Sequence, residues 1–296
     1  MILEFMKCYL CGASTRAFID KNGYTVFRCD ACRLGQIYLD KNYDDFVKSH
    51  YSKDYYMGGI EESAYSDYKD EKKYIRLNFR KFLRKILAYK KSGKLLDVGC
   101  AMGYFVEMAT EAGFDAYGVD ASAYAIAEAK NHIPESKLQA ATISDLDFPE
   151  KSFDVITMFD VFEHLNDPKN DLKKLRSLLK DDGILVIATG DANSLAATLL
   201  RRRWTFYIPP EHIFYFDRNN LSSLLEEVGF VPKLWFRIGK WLSLKYVLHL
   251  ARTTGESKVA NLLYKVLSPI ASLPLYLYLG DNMATVATKK LHVNSK

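Results

Sequence analysis

One stretch decides the fold: Leu95-Leu96-Asp97-Val98-Gly99-Cys100-Ala101-Met102-Gly103-Tyr104-Phe105. An apolar run ends in an acidic, glycine-bearing turn and a second apolar segment follows, which predicts a buried strand, a tight turn and a helix. Small residues at 99, 101 and 103 let the backbone pass close to a ligand, and helix amides from Met102 onward can point at an acidic group. The turn therefore predicts a site for a nucleotide-like cofactor.

The chain that follows this turn supports the same interpretation. A helix is predicted over 102–112, and Gly113 separates it from a second strand over 115–119. Asp120 comes directly after that strand, where an acidic side chain can bind the hydroxyl groups of a ribose. Dinucleotide-binding enzymes also place an acid at this position, so the spacing of the glycines has to distinguish the cofactors.

The glycine spacing does not fit a dinucleotide. The G-x-G-x-x-G fingerprint, counted from Gly99, would need glycines where Ala101 and Tyr104 stand. The stretch resembles instead the D-V-G-C-x-x-G motif of class I S-adenosylmethionine (SAM)-dependent methyltransferases, whose cofactor has no phosphate; Ala101 replaces the commoner glycine. The resemblance implies SAM as the cofactor, and the alternative is an ordinary strand-turn-helix unit of an α/β sheet.

The resemblance also implies which residues contact the cofactor. Gly99 and Gly103 would face the methionine part of SAM, and Asp97 would orient it. Asp120 would bind the ribose, and Phe159, at the end of the fourth strand, would line the reaction face. The complete set assigned to the cofactor is Asp97, Gly99, Cys100, Ala101, Gly103, Asp120, Ala121, Thr142, Ile143, Phe159, Tyr55 and Tyr56.

Two parts of the predicted cofactor site have alternative assignments. The acid that binds adenine in the family is missing after the third strand, where Thr142 stands, so Ile143 or Asp145 is expected to serve instead. Tyr55 and Tyr56 have two interpretations: they close over the cofactor, where aromatic rings attract a positively charged sulfur, or they only pack the surrounding segment.

Length and composition restrict the class of protein. A chain of 296 residues with 49% hydrophobic content suits one large globular domain with an appended module. The net charge of +5 is far from the strong basic bias of a nucleic-acid-binding protein. No segment is typical of a signal peptide, and the uncharged run from Val266 to Gly280 is too short to cross a bilayer. We therefore expect a soluble, cytoplasmic protein.

Four of the five cysteines occur as two pairs, Cys8-x-x-Cys11 and Cys29-x-x-Cys32, with seventeen residues between the pairs. This spacing is typical of a tetrahedral Zn²⁺ site with four cysteine ligands on a small ribbon. Because all four positions would be filled, the zinc would be structural. Disulfides or reduced thiols without a metal are the alternatives. We predict a zinc ribbon over residues 1–42.

Residues 43–92 are predicted to form a tyrosine-rich connector followed by a helix over 65–91. Ile75, Phe79 and Phe82 recur at helical spacing, which predicts an apolar stripe on the sheet. The other side of the helix carries Lys72, Lys73, Arg76, Arg80, Lys81, Arg84 and Lys85. Such a basic face is usually solvated, and contact with RNA is the alternative.

Strands and helices alternate through the third segment, 93–296. Strands are predicted over 94–98, 115–119, 137–143, 153–159 and 184–189, with helices over 102–112, 122–132 and 168–180. Continuous apolar strands in this order predict an α/β fold with a parallel sheet covered on both faces. A further helix from the N-cap candidate Asp217 leads to a strand over 231–237.

The last strand of the methyltransferases that this chain resembles is antiparallel and returns into the sheet, and 282–289 fits it. An apolar insertion over about 240–280 precedes that strand. We expect a helical hairpin that packs on the core or forms a homodimer interface. A substrate lid and a peripheral membrane contact are the alternatives.

Three more stretches extend the resemblance: Tyr51–Tyr56 (YSKDYY), Asp160–Pro168 (DVFEHLNDP) and Pro209–Phe216 (PPEHIFYF). Together with the cysteine pairs they resemble a bacterial group of class I methyltransferases, of the type 11, 12 and 23 kinds, which carry an N-terminal zinc ribbon. Members of this group often act in glycan or natural-product pathways. The resemblance implies a Rossmann-like seven-stranded sheet and identifies methyl transfer better than it identifies the substrate.

Methyl transfer needs a base only when the acceptor atom carries a proton, and histidine titrates near neutral pH. His212 and His164 are the candidates. His212 is favoured because its loop follows the fifth strand, where substrates enter such sheets. His164 alternatively caps the helix that begins near Pro168.

The expected activity is methyl transfer, mainly to oxygen, on a small-molecule or glycan acceptor, including nucleotide- or lipid-linked ones. The first alternative is an rRNA or tRNA methyltransferase that binds RNA with the ribbon and the basic helix face. The second alternative is a SAM-binding protein without catalysis, which Ala101 and the missing adenine acid would suit.

Overall fold

The computed structural model describes residues 6–57, 68–248 and 273–290. The strands are β1 (Thr15–Lys21), β2 (Tyr24–Cys29), β3 (Gly35–Gln36), β4 (Gly93–Val98), β5 (Phe114–Asp120), β6 (Leu138–Ala140), β7 (Phe153–Phe159), β8 (Leu179–Gly190), β9 (Phe214–Tyr215), β10 (Phe230–Arg237), β11 (Lys240–Ser243), β12 (Pro274–Leu277) and β13 (Asn282–Lys289). The helices are α1 (Tyr43–His50), α2 (Lys53–Tyr56), α3 (Lys72–Tyr89), α4 (Tyr104–Glu111), α5 (Ala123–Ala129), α6 (Pro168–Leu178), α7 (Leu195–Leu200) and α8 (Arg218–Glu227).

Seven strands form the central sheet, in the order β10-β13-β8-β7-β4-β5-β6. The five strands from β4 to β8 run parallel, and β13 lies antiparallel between β8 and β10. The predicted seven-stranded α/β fold is confirmed, including the antiparallel last strand. The third predicted strand, 137–143, is reduced to Leu138–Ala140.

The central strands are apolar because helices and loops cover both faces of the sheet. Leu96 and Ile156, which are neighbours on β4 and β7, belong to one buried apolar cluster. Leu95 and Val155 point to the opposite face and belong to a second cluster. The two clusters fix the sheet between them and hold the carboxyl ends of the strands in place.

Two helix starts are set by side chains that accept backbone N–H groups. Asp217 caps α8 in a capping box with Asn220, as the sequence predicts. At α6, Asp167 is the N-cap residue and Pro168 occupies the first turn. The alternative in which His164 caps α6 is therefore wrong, because Asp167 already supplies the acceptor.

The helix predicted over 168–180 is shorter than expected. It ends at Leu178, and β8 begins at once with Leu179, which is fully buried and pairs with Phe153. Burying this leucine against β7 removes apolar surface from water. The turn residues 181–183 consequently lie inside the irregular start of β8 instead of ending the helix.

The helix predicted over 65–91 is also shorter: α3 begins at Lys72, and the first three predicted residues fall outside the described residues. Tyr68 donates its backbone N–H to Tyr56 O at 2.9 Å. The carboxylate of Glu71 accepts the hydroxyl hydrogen of Ser243. These contacts hold the segment before Lys72 in turns and delay the helix.

The N-terminal module shares a sheet with the rest of the chain, in the order β1-β2-β3-β9. Gly35 of β3 pairs with Tyr215 of β9, and Ile37 donates its backbone N–H to Ile213 O at 3.0 Å. Leu34 belongs to the same buried cluster as the first face of the central sheet. The module and the segment around β9 are thus joined by backbone pairing and by a common core.

The described ends of the insertion pair with each other as strands, with Lys240 of β11 opposite Leu277 of β12. Asn78 of α3 fixes β11, because its side chain bonds both the N–H and the carbonyl oxygen of Trp241, at 2.7 and 2.9 Å. At both described ends, the insertion therefore forms a strand where a helical hairpin was predicted, although residues 244–248 are helical.

Residues 249–272, the centre of the insertion, lie outside the described residues. The interpretations of this segment as a lid, a dimer interface or a membrane contact remain predictions. Within the described ranges, no helix has both the length and the apolar character needed to cross a bilayer.

Candidate functional site

A cavity of about 480 Å³ opens at the carboxyl ends of the parallel strands. Asp97 at the end of β4, Asp120 at the end of β5 and Phe159 at the end of β7 line it. Ligands of open α/β sheets bind in a crevice at this edge. The cavity therefore lies where the sequence places the cofactor.

The turn after β4 brings its backbone to the cavity wall. Gly99 has a φ of +72°, and a Cβ atom added there would lie 2.2 Å from Cγ2 of Val161. The N–H groups of Gly99 and Cys100 donate to Val119 O, at 2.8 and 3.0 Å. Ala101 has a φ of +47°, which glycine adopts more easily and which explains why glycine is commoner here in the family. The turn is fixed against β5 and leaves room for a ligand.

Two carboxyl groups flank the turn, that of Asp97 buried and that of Asp120 half-buried. Asp120 accepts the N–H groups of Ala101 and Ser122, each at 2.8 Å, and Asp97 accepts the hydroxyl hydrogen of Thr157 at 2.6 Å. Burial raises the pKa of the Asp97 carboxyl to about 7 and also raises the pKa of Asp120. Such acids suit a ligand with hydroxyl donors and a positive charge, as the ribose and the ammonium group of SAM provide.

The residues assigned to the cofactor lie together, with one exception. The cavity is lined by Asp97, Gly99, Cys100, Ala101, Asp120, Ala121, Thr142, Ile143, Phe159, Tyr55 and Tyr56. Gly103 is the exception: it precedes α4 as its N-cap residue, and a Cβ there would meet Ile133 Cδ1 at 2.4 Å. Its role in this structure is close packing of the turn against the segment after α5.

Thr142, Ile143 and Ser144 line the cavity on the side where the sequence analysis expects adenine. Asp145, the other expected substitute for the missing acid, is exposed and absent from the described lining. It accepts the hydroxyl hydrogen of Thr142 at 2.6 Å. Of the two expected substitutes, Ile143 is the one that reaches the cavity.

Tyr55 and Tyr56 pack the surrounding segment and also line the cavity, and their closure over the cofactor stays a prediction. Both side chains are buried and line the cavity, and their rings pack edge to face with centroids 5.1 Å apart. Tyr51 and Tyr68 also line the cavity, although we did not assign them to the site. The motif over 51–56 contained a signal for Tyr51, whereas nothing in the sequence singled out Tyr68.

One part of the cavity lining, which we call the second lobe, was not predicted from the sequence. Its lining includes Glu71 and Asn78, with Lys240, Trp241 and Tyr246 from β11 and the segment after it. These residues come from separate segments, so no local pattern connects them. The polar Asn78 beside the apolar stripe of α3 was the one available signal.

The two histidines differ in their access to the cavity. His164 is half-buried and lines it, whereas the described lining does not include His212, which is buried. His164 Nδ1 lies 2.9 Å from both Glu211 O and the Tyr51 hydroxyl. Because a carbonyl oxygen can only accept, Nδ1 carries the proton and Nε2 keeps its lone pair. His164 is therefore better placed than His212 to meet an acceptor.

His212 belongs to a buried polar cluster behind the cavity wall. Its Nδ1 donates to Phe206 O at 2.7 Å, and its Nε2 lies 3.9 Å from Oε1 of Glu163. Burial lowers the pKa of both His212 and His164 and raises that of Glu163. His212 was predicted as the base because of the position of its loop. In the structure, packing turns its side chain away from the cavity.

The four paired cysteines converge at one point. Their sulfur atoms lie within 4.8 Å of one another, and Cys8–Cys32 and Cys11–Cys29 are each separated by 3.5 Å. Gly12 and Arg33, which follow the two pairs, both have positive φ, so each pair ends in the same tight turn. Four thiolates at tetrahedral spacing suit Zn²⁺.

Similar proteins include enzymes of ubiquinone biosynthesis. The ubiquinone biosynthesis O-methyltransferase of Rhodopseudomonas palustris strain BisB5 is 31% identical over 164 residues, 51% of this chain and 64% of that protein. The protein of the same name from strain HaA2 is 36% identical over 156 residues, 50% of this chain and 61% of that protein. The chain thus covers less than two thirds of either relative.

Solved structures share the fold. The YcgJ protein from Bacillus subtilis matches 72% of this chain and 98% of that chain, with a TM-score of 0.51 and 16% identity. A SAM-dependent methyltransferase from Archaeoglobus fulgidus matches 74% of this chain and 97% of that chain, with a TM-score of 0.50 and 22% identity.

The model of a methyltransferase domain family, Methyltransf_23, matches residues 71–232, more than half of the chain. The match covers the cofactor turn, both flanking acids and His164, but not the cysteine pairs. The chain therefore belongs to this family of methyltransferase domains.

Proposed function

We propose that the enzyme methylates an oxygen atom of a small-molecule or glycan acceptor. SAM supplies the methyl group on a positively charged sulfur that leaves easily, so much of the rate comes from positioning the acceptor. The observation that carries the proposal is the cavity, which continues from the cofactor turn past Phe159 into the second lobe. The relatives named O-methyltransferases support oxygen as the acceptor atom.

The cofactor half of the cavity fits SAM. Val161 packs closely against Gly99 beside the cavity, and Asp120 presents a half-buried carboxyl group at the end of β5. Asp120 would bind the ribose hydroxyls, and Asp97 would orient the methionine part through hydrogen bonds.

The second lobe would hold the acceptor. Trp241 and Tyr246 give it aromatic walls, and Glu71 and Lys240 add charged groups. Lys240 Nζ lies 2.8 Å from Oδ2 of Asp160, so its charge is partly balanced. A lobe with aromatic walls and a few polar groups suits a ring that carries hydroxyl groups, as in a sugar or a phenol.

The acceptor hydroxyl must lose its proton during transfer to oxygen. We assign this step to the neighbourhood of His164, because its Nε2 keeps a lone pair and the residue lines the cavity. The lowered pKa of His164, which follows from burial, keeps the imidazole neutral and able to accept a proton at neutral pH.

A structural Zn²⁺ at the four cysteines is the second part of the proposal. The four sulfur atoms within 4.8 Å support it, and the ion would leave no position for a substrate. Its effect would be to hold β3, and β3 pairs with β9 beside the polar cluster that contains His212.

No observation favours RNA as the acceptor. Part of the basic face of α3 is occupied within the protein: Arg76 pairs with Glu107 and Glu111, at 2.6 and 2.9 Å. Lys81 donates to Gly239 O at 2.7 Å. These contacts leave fewer cations for phosphate groups than the sequence suggests.

The test uses methyl-labelled SAM and an extract of the source cells. We expect label in small soluble molecules or glycans, in a fraction that nuclease does not change. Asp120→Ala is the matched control, because loss of the ribose-binding carboxylate should abolish labelling. Label that nuclease releases, or equal labelling by Asp120→Ala, would contradict the proposal.

A further inference from the structure

Three possible metal ligands meet behind the cavity wall. Glu163 and His164 lie in the short 3-10 turn after β7, and His212 lies in the loop before β9. Their ligand atoms are within 4.8 Å of one another. A backbone hydrogen bond of 2.9 Å from Ile213 N to Glu163 O joins the two segments.

Each of the three side chains is held by a hydrogen bond or a close polar contact at one of its polar atoms. His212 Nδ1 donates to Phe206 O at 2.7 Å, and His164 Nδ1 contacts Glu211 O at 2.9 Å. Oε2 of Glu163 accepts the hydroxyl hydrogen of Thr189 at 2.7 Å. Histidines that bind metals are held in this way, with one ring nitrogen on a carbonyl or carboxylate and the other free.

The free carboxylate oxygen is a second, independent observation. Glu163 is 2% exposed, and its Oε1 has no hydrogen-bond partner within the described chain. Oε1 lies 3.9 Å from His212 Nε2, which is too far for a hydrogen bond. A buried polar atom without a partner is costly, and a cation between these atoms would remove that cost.

We propose that Glu163, His164 and His212 form a binding site for a divalent transition-metal cation. Two imidazole nitrogens and one carboxylate oxygen suit Zn²⁺, Fe²⁺, Co²⁺ or Mn²⁺. Three protein ligands leave at least one coordination position open. The open position lies on the side of the cavity, because His164 lines it.

The site goes beyond the proposed function and changes one part of it. A cation on His164 Nε2 occupies the lone pair that would otherwise accept the acceptor proton. The cation would then promote ionisation of an acceptor hydroxyl by coordinating it. The cation site and the proposed methyl transfer can be tested separately, because cation binding is measured without an acceptor and without turnover.

The test is a titration of the full chain after one equivalent of Zn²⁺ per chain has filled the cysteine site. Co²⁺ is then added and followed by visible absorption and calorimetry. We expect one further equivalent, with ligand-field bands but no thiolate charge-transfer band. Glu163→Gln and His212→Gln should each weaken this binding by at least about 10-fold.

The matched control is His132→Gln, which removes an exposed histidine outside the cluster and should leave the titration unchanged. Circular dichroism shows whether each variant is folded, and His164→Gln, at a half-buried position, replaces a variant that fails to fold. Absence of the second equivalent from the wild-type protein overturns the proposal whatever the variants do. Unchanged Co²⁺ binding by the folded variants also overturns it.

Discussion

The two halves of the cavity are built in different ways. The cofactor half depends on one continuous turn, in which Gly99 and Ala101 place backbone against the ligand and Asp97 and Asp120 follow at fixed spacing. The acceptor half is assembled from side chains on α3, β11 and the segment after β7. In the proposed function, the continuous turn sets the reaction by holding SAM, and the assembled wall selects the acceptor.

The acceptor side also depends on the N-terminal module. Its β3 pairs with β9, and the loop before β9 carries Glu211 and His212. Asn22 in the turn between β1 and β2 donates to Pro209 O at 3.1 Å. The four-cysteine cluster is therefore coupled to the acceptor side by backbone bonds, and the cofactor turn is not.

Removal of the Zn²⁺ that we propose at the four cysteines should have the largest effect and should separate the two halves. Structural Zn²⁺ contributes about 10 to 16 kcal/mol to the folding of small zinc domains, so chelation should unfold the ribbon. Amide hydrogen exchange in Phe214 and Tyr215 should then accelerate by roughly 10-fold or more, because their pairing with β3 is lost.

The cofactor half provides the control for this experiment. SAM affinity should stay within about twofold, because no backbone hydrogen bond among the described residues joins the module to the cofactor turn. Exchange in β5 should also stay unchanged. Equal loss of protection in β5 would show that the two halves are not built independently, and unchanged exchange in Phe214 and Tyr215 would show that the cysteine cluster does not hold β9.

The comparison also explains what could be predicted from the sequence. The strand, turn and acids of the cofactor half follow one another within 97–120, so local spacing was sufficient. His212 was misjudged as facing the substrate, because the orientation of a loop side chain depends on its partner Phe206 and on the buried Glu163. Tyr68 and Tyr246 reach the cavity only through long-range packing, which no sequence period encodes.

Gly99→Ala should have the next largest effect and should damage the cofactor half. The added methyl group meets Val161 Cγ2 at 2.2 Å, and the positive φ is strained for alanine. Strain and overpacking together should cost roughly 2 to 6 kcal/mol of stability and weaken SAM binding. Chemical denaturation and calorimetric SAM titration measure both effects.

Gly113→Ala is the matched control for this substitution. Gly113 also has a positive φ, of +95°, but nothing lies within 4 Å of its added Cβ. It should lose only about 1 to 3 kcal/mol through backbone strain and keep its SAM affinity. Equal SAM affinities of the two alanine variants would mean that the close approach at Gly99 does not position the cofactor.

The smallest predicted effect concerns Asp97 and the pH dependence of SAM-free protein. Burial raises the pKa of this carboxyl from 3.8 to about 7, so the folded chain holds the proton more tightly than the unfolded chain. As the pH rises through this window, the free energy of unfolding should fall by about 1.4 kcal/mol per pH unit. Asp97→Asn removes this cost and should stabilise SAM-free protein at pH 7 while weakening SAM binding.

Asp115 provides a control of opposite sign on the neighbouring strand. Lys137 lowers the pKa of its carboxyl through a surface ion pair, so the pair stabilises the protein above the unfolded pKa and is lost as the pH falls. Asp115→Asn should therefore destabilise at pH 7, by less than about 1 kcal/mol because the pair is exposed. Denaturant titrations at pH 5 and pH 7 distinguish the two carboxyls. Lower stability of Asp97→Asn than of wild type at pH 7 would contradict this prediction. It would mean that the Asp97 carboxylate stabilises the SAM-free fold, so that its burial is not a cost that SAM binding relieves.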